Sequence, residues 1–140
     1  MSNSNKFNSF RRTRVSSETR KSSVKNELKN VLIVCEGKVT ELAYLPAYLN
    51  EILKHYRLIN NVKVVSSNKG SSPENVLECA KSFIKKDGYD QAFCVFDKDK
   101  HSTYSSVVNN IKNIRNISSI NSVPCFEYWL LLHFKYTTSA

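Results

Sequence analysis

From residue 31 onward, short apolar runs alternate with amphipathic stretches. Val31-Leu32-Ile33-Val34-Cys35 is an unbroken apolar run, typical of a strand that is covered on both faces. Apolar residues then recur every three or four positions between Leu42 and Tyr56, which predicts an amphipathic helix. The alternation repeats, with further strands predicted at 62–65, 92–96 and 118–123 and further helices at 73–87, 104–114 and 125–134.

The spacing of these elements predicts the fold class. The first three predicted strands end at residues 35, 65 and 96, which are 30 and 31 residues apart, the length of a βαβ unit. We therefore expect an α/β three-layer sandwich, in which a mostly parallel sheet of about four strands has helices on both faces and right-handed crossovers.

Composition narrows the class of protein. The chain has 140 residues, of which 41% are hydrophobic and 24% charged, and this excludes collagen-like, low-complexity and wholly disordered chains. The longest apolar run, residues 128–132, is far shorter than the ~20 residues of a membrane-spanning helix, so we expect a buried core element and no membrane partner. The four cysteines form no C-x-x-C pair, which favours reduced core thiols in a soluble, cytoplasmic protein.

The positive charge is concentrated at the N-terminus. Of the formal net charge of +9, +6 lies in residues 1–30, which contain eight basic and two acidic side chains. We therefore predict a disordered basic arm over residues 1–30 and a domain over residues 31–140. A basic arm favours a nucleic-acid partner, and the alternative is a solvated tail that prevents aggregation. The candidate contacts are Arg11, Arg12, Arg14, Arg20 and Lys21.

Carboxylates follow three of the predicted strands. Glu36 follows the first strand, Asp97 and Asp99 follow the third, and Glu127 lies early in the helix after the fourth. The carboxyl ends of parallel strands meet at one edge of a sheet, where ligands bind in open α/β folds. Four converging carboxylates form the hard-oxygen site that Mg²⁺ or Mn²⁺ prefers. We therefore predict a metal site of Glu36, Asp97, Asp99 and Glu127.

Individual members of this group have alternative interpretations. Glu36 is a candidate metal ligand or general acid/base, and Gly37 beside it leaves room for a backbone or phosphate. The aspartates can instead form surface ion pairs with Lys98 and Lys100. Glu41 either joins the acidic cluster or complements the helix dipole.

The last apolar run contains two further candidates. Glu127 stands among apolar residues, so we expect it to need a cation, a hydrogen-bond donor or a raised pKa, and we assign it a catalytic or metal-binding role. His133 is either catalytic or a hydrogen-bonded core residue.

A second group of residues is suited to bind phosphate. The segment 66–72 connects a strand to a helix N-terminus and offers Lys69, Ser71 and Ser72, and Lys38 and Lys98 lie beside the acids. Ser72 before Pro73 also predicts an N-cap, and Gly88 a helix end. The chain has neither a G-K-[ST] sequence nor a dinucleotide-binding glycine pattern, which excludes P-loop NTPases and Rossmann-type dehydrogenases.

Three sequence blocks together resemble the RloB family. They are V-L-I-V-C-E-G-x-x-T-E at 31–41, V-F-D-K-D at 95–99 and P-C-F-E-x-W-L-L-L-H-F at 124–134. That family is linked to restriction and abortive-infection loci of bacteria and includes AbiL-type proteins. The resemblance implies a Toprim-like fold, the metal-binding catalytic domain of topoisomerases, primases and OLD-type nucleases. Family members continue beyond the third block, so we expect this chain to be C-terminally short relative to them.

The resemblance also implies residue roles. In Toprim-like sites the glutamate after the first strand acts as a general acid or base, and Glu36 corresponds to it. The D-x-D pair binds Mg²⁺, and it corresponds to Asp97 and Asp99. Glu127 and His133 correspond to the acid and the histidine of the third family block. Related Toprim effectors of anti-phage systems are nucleases, some of them acting on tRNA, beside an ATPase partner.

Two function classes follow from these observations. The first is a divalent-metal-dependent nuclease, acting on RNA (tRNA included) or DNA in bacterial anti-phage defence. The second is a catalytically silent nucleic-acid-binding or regulatory subunit of a defence complex. Expected partners are nucleic acid, an ATPase subunit by family analogy, and a second copy of the chain through the last helix. A small-molecule phosphotransferase or phosphatase would lack a nucleophile and a nucleotide loop.

Overall fold

A computed structural model describes residues 29–55, 61–98 and 101–135, which form eight elements in strict strand–helix alternation. The predicted alternation is confirmed, and most element bounds lie within two residues of those predicted. The elements are β1 (Asn30–Cys35), α1 (Thr40–His55), β2 (Asn61–Ser66), α2 (Pro73–Asp87), β3 (Gln91–Asp97), α3 (Tyr104–Lys112), β4 (Ile117–Ser122) and α4 (Phe126–Leu132).

The four strands form one parallel sheet in the order β2-β1-β3-β4. The register pairs Leu32 with Lys63 of β2 and with Ala92 of β3, and it pairs Asp97 with Ser122. From β1 the chain moves outward to β2 and then returns to β3 on the other side of β1. The carboxyl ends of β1 and β3 therefore flank the topological switch point, where ligands bind in open parallel sheets.

Both faces of the sheet are covered, as the apolar first strand predicts. Alternate residues of the strands, among them Leu32, Val34 and Phe96, pack against α2 and α3. The intervening residues Ile33 and Val95 face the side of α1. This confirms the α/β three-layer architecture, because one run of residues in β1 supplies side chains to two cores.

The cysteines are reduced, as expected. None of the four forms a disulfide, and Cys35, Cys79 and Cys94 are buried. Burial raises the pKa of the Cys35 and Cys94 thiols to about 12, so both remain protonated at neutral pH.

Local sequence determines where α2 begins and ends. The Ser72 hydroxyl accepts a hydrogen bond from the Asn75 backbone N–H at 3.3 Å, and Pro73 occupies the first turn. Gly88 ends the helix in the left-handed conformation, with a φ of +68°, and its N–H donates to the Ile84 carbonyl. These contacts confirm the predicted capping residues.

The last helix departs from its prediction. α4 has seven residues, and Phe126 is its only buried one, whereas Trp129, Leu131 and Leu132 are 38–45% exposed. The expectation that residues 128–132 form a buried core element is therefore wrong, because no other element of the described chain covers these side chains. No helix among the described residues is long and apolar enough to span a membrane.

Candidate functional site

Glu36 and Asp97 meet across the switch point. Glu36 follows β1, and its backbone N–H donates to the Val95 carbonyl of β3 at 2.9 Å. Asp97 is the last residue of β3, and its backbone N–H donates to Oε2 of Glu36 at 3.2 Å. The two carboxylates are thus brought together by strand pairing, as the positions of both at strand ends predict.

A histidine that we did not predict holds the second oxygen of Glu36. Nε2 of His101 donates to Oε1 of Glu36 at 2.7 Å, and the side chains are 30% and 13% exposed, respectively. Two donors on separate oxygens fix the orientation of the Glu36 carboxylate. The sequence signal for His101 was its place in Asp97-Lys98-Asp99-Lys100-His101, four residues after the first aspartate in the same loop.

The Asp97 carboxyl is in an unfavourable environment for a negative charge. Burial, followed by the nearby charges of Glu36, Glu41 and Glu127, raises the pKa of Asp97 from 3.8 to about 6. The backbone N–H of Phe126 offsets part of this rise. Oδ1 of Asp97 is buried and has no hydrogen-bond partner among the described residues.

Glu41 lies in the same acidic group, although it is also in the first turn of α1. Its side chain is buried, and its carboxylate lies against Gly37, where a Cβ atom would overlap it. A side chain at position 37 would therefore displace the Glu41 carboxylate, which fills the space that we expected a backbone or phosphate to use. The position supports both predicted roles, because Glu41 is at a helix N-terminus and also acts on the Asp97 charge.

Glu127 joins this group for a different reason from the one predicted. Its side chain is exposed in the first turn of α4, so the expectation of a carboxylate surrounded by apolar residues is wrong. The apolar residues of α4 do not bury their neighbours, because the helix is largely uncovered. Glu127 instead follows Phe126, whose backbone approaches Asp97. The negative charge of Glu127 contributes to the raised pKa of Asp97.

The chemistry of these residues fits a divalent cation. A bound cation would relieve both the buried Asp97 oxygen, which has no partner among the described residues, and the excess of negative charge around it. Carboxylate oxygens are the ligands that Mg²⁺ and Mn²⁺ prefer. In the ranges that the structure describes, no group of three or more acidic, histidine or cysteine side chains is placed to hold a metal ion. Asp99, the predicted further ligand, lies outside the described residues.

The predicted phosphate contacts fall into two places. Lys38 and Lys98 are exposed at the same edge as the acids. Lys69 lies near Glu78 of α2, Ser71 is exposed, and the Ser72 hydroxyl is engaged as the helix cap. The arm residues Arg11, Arg12, Arg14, Arg20 and Lys21 lie outside the described residues.

His133 belongs to a separate aromatic cluster. Its Nε2 shares a hydrogen bond of 3.2 Å with the Tyr44 hydroxyl, and its ring lies edge-on to Trp129 at 4.8 Å. His133 is exposed, so the core interpretation is wrong. Its catalytic role stays a prediction.

Comparison with known proteins identifies the family. The family model of RloB-like proteins matches residues 31–140. The chain belongs to the RloB family. The match starts at the first residue after the basic N-terminal segment, and the RloB domain contains Glu36, Glu41, Asp97, His101 and Glu127. No curated protein and no solved structure matches the chain significantly. The likeness to Toprim domains stays a prediction.

Proposed function

We propose that this RloB domain is a divalent-metal-dependent nuclease that hydrolyses phosphodiester bonds of RNA or DNA. The observation that carries the proposal is the pairing of Glu36 and Asp97 at the switch point, with Oδ1 of Asp97 buried and without a hydrogen-bond partner in the part of the chain that the structure describes. This arrangement supports a bound cation, because a protein rarely leaves a buried carboxylate oxygen without a partner.

We assign metal-holding and proton-transferring roles to these residues, and Glu36 is assigned both. Asp97 and Glu36, with Asp99 as the predicted further ligand and Glu41 and Glu127 nearby, would hold Mg²⁺ or Mn²⁺. When bound, the cation polarises the phosphodiester and lowers the pKa of bound water. Glu36 accepts the proton of the attacking water as a general base.

Other groups position this base and the substrate. His101 and the Asp97 backbone N–H hold both oxygens of Glu36, so its carboxylate stays in place as the substrate binds. Lys38 and Lys98 are exposed at the acidic edge and attract substrate phosphates.

The substrate class and setting rest on charge and family. A formal net charge of +9 favours a polyanion, and the RloB family resemblance favours bacterial anti-phage defence with RNA, tRNA included, or DNA as the target. An ATPase subunit is a proposed partner by family analogy, and a second copy of the chain is a proposed partner through the exposed last helix.

Cleavage assays test the proposal. The full chain is incubated with total cellular RNA and with plasmid DNA, with Mg²⁺ or with EDTA. We expect Mg²⁺-dependent cleavage that falls by roughly two or more orders of magnitude in Glu36→Gln, the contribution of one acid/base group. Glu78→Gln is the matched control, because Glu78 is an exposed residue of α2 paired with Lys81, and it should cleave normally. Normal cleavage by Glu36→Gln would refute the site.

One observation supports the second candidate, a catalytically silent nucleic-acid-binding subunit. Within residues 29–55, 61–98 and 101–135, no three side chains form a ready set of metal ligands. Such a subunit would bind nucleic acid but neither cleave it nor take up Mn²⁺.

A further inference from the structure

An apolar groove of about 520 Å³ lies between α1, β4 and α4. Its volume is within the roughly 300–1,000 Å³ of typical small-molecule sites. We call it the aromatic groove, and define it by Tyr44 and Tyr48 of α1, Ile120 of β4, and Phe126 and Trp129 of α4.

The walls of the aromatic groove are exposed but ordered by ring contacts. Tyr48, Ile120 and Trp129 are 43–46% exposed, an unusual concentration of large apolar side chains on a surface. The Tyr44 ring stacks on Tyr48 at 5.3 Å and meets the edge of Phe126 at 5.6 Å. The groove therefore presents flat aromatic faces of fixed orientation.

The aromatic groove adjoins the strand end that carries Asp97. Ser122 lines the groove, is the register partner of Asp97, and accepts a hydrogen bond from the Lys98 backbone N–H at 2.9 Å. Phe126 lines the groove as well, and its backbone N–H acts on the Asp97 carboxyl. The groove therefore reaches residues that neighbour Asp97 directly.

We infer that the aromatic groove binds an unstacked nucleobase of a single-stranded nucleic acid whose phosphate lies at the acidic site. The inference rests on the proposed nuclease function and adds the form of the substrate. Aromatic side chains stack on bases of any sequence, and Asn121 and Ser122 at the groove can hydrogen-bond to base edges. In a duplex the bases are stacked and paired, so they cannot enter without being flipped out.

Trp129 is the only tryptophan of the chain, so its fluorescence reports on the aromatic groove directly. The full chain is titrated in EDTA, to prevent cleavage, with a short oligothymidylate, with an abasic strand of the same length and charge, and with a duplex. We expect oligothymidylate to quench Trp129 and to bind roughly ten-fold or more tightly than the abasic strand, from base–aromatic stacking. The duplex should not quench it.

A pair of variants tests whether the nucleobase binds at Tyr48. Tyr48→Leu keeps apolar volume but removes one exposed ring, and it should lower the affinity for oligothymidylate towards that for the abasic strand. Tyr89→Leu is the matched control, because Tyr89 contacts Phe83 in the layer formed with α2, and it should bind both strands as the wild type does. The affinities of the wild-type protein for oligothymidylate and for the abasic strand are compared without any variant. A variant that misfolds therefore does not decide the outcome.

Two results overturn the inference. One is equal affinity for the abasic and base-bearing strands without quenching of Trp129. The other is a change of Trp129 fluorescence on dilution of the protein alone, with a dimer in sedimentation velocity, which would show that a second copy occupies the groove. Base-dependent quenching without Mg²⁺-dependent cleavage would support the groove and refute the nuclease, whereas cleavage without base-dependent binding would refute the groove alone.

Discussion

Glu36 and His101 are 65 positions apart in the chain and share a 2.7 Å hydrogen bond between Oε1 and Nε2. The Asp97 backbone N–H holds the other oxygen of Glu36. One side chain from a loop and one backbone group from a strand thus fix the carboxylate that we assign as the base. In our proposal His101 is a positioning residue, because it acts through Glu36.

Replacing His101 separates this role from general stability. His101→Leu removes the donor and should lower the saturated cleavage rate by roughly 10–100-fold, typical for a group that orients a metal-site ligand, with little change in KM. His101→Gln keeps an N–H donor at a similar reach and should restore most of the rate. Rates and melting temperatures of both variants are compared. A Gln variant as slow as the Leu variant, at equal stability, would contradict the positioning role.

Stability without metal should depend on the charge of Asp97. Its pKa is about 6 in the folded protein and near 3.8 in the unfolded chain, so the folded state holds the proton more tightly. The resulting stabilisation is complete below about pH 3.8 and is lost as the pH rises through about 6. In EDTA, Asp97→Asn should therefore raise the free energy of unfolding above pH 7 by about 1–2 kcal/mol, allowing for solvent screening.

The difference between Asp97→Asn and the wild type should disappear below about pH 3.8, where Asp97 is mostly protonated in both the folded and the unfolded chain. Urea unfolding of both proteins above pH 7 and below about pH 3.8 measures this difference in the free energy of unfolding. A variant less stable than the wild type above pH 7 would mean that Asp97 makes a favourable contact as a carboxylate.

Ser71 and Ser72 are both predicted phosphate contacts, and the structure gives them different roles. Ser72→Ala removes the N-cap of α2 and should cost about 1 kcal/mol of stability. Ser71→Ala alters an exposed neighbour and should leave stability unchanged. Thermal unfolding of the two variants tests the distinction. A Ser72→Ala variant as stable as the wild type would show that the cap contributes nothing measurable.

The basic arm should contribute to nucleic-acid affinity but not to the cleavage step. Deleting residues 1–28 retains Lys29, whose carbonyl accepts a hydrogen bond from the Asn61 N–H. Deleting the arm should make the slope of log affinity against log salt concentration less steep. The expected change is about 0.9 on duplex DNA, or about 0.7 on single strands, for each phosphate that the arm neutralises. The saturated cleavage rate should stay the same. If affinity and slope are unchanged, the arm is a solvated tail.

The fold was predictable because its signals are local. The apolar run at 31–35, the cap at Ser72 and the glycine at 88 each specify one element, and their spacing specifies the βαβ order. The meeting of Glu36 and Asp97 followed from strand direction alone, since parallel strands end at one edge.

The remaining features depend on tertiary placement. An apolar segment such as α4 looks like core in sequence, yet its burial depends on whether another element covers it, and here Trp129 and Leu132 face the aromatic groove. His101 was missed for a similar reason, because a loop histidine has no periodic pattern and its partner lies 65 positions away.

Calorimetric titration of Mn²⁺ into the full chain tests the central claim, that the acidic pair at the switch point binds a divalent cation. The account predicts a binding heat for the wild type that Asp97→Asn abolishes. Asp87→Asn, a matched change at the exposed C-terminal end of α2, should retain it. No binding heat in the wild type, or equal binding by the wild type and Asp97→Asn, would contradict the account.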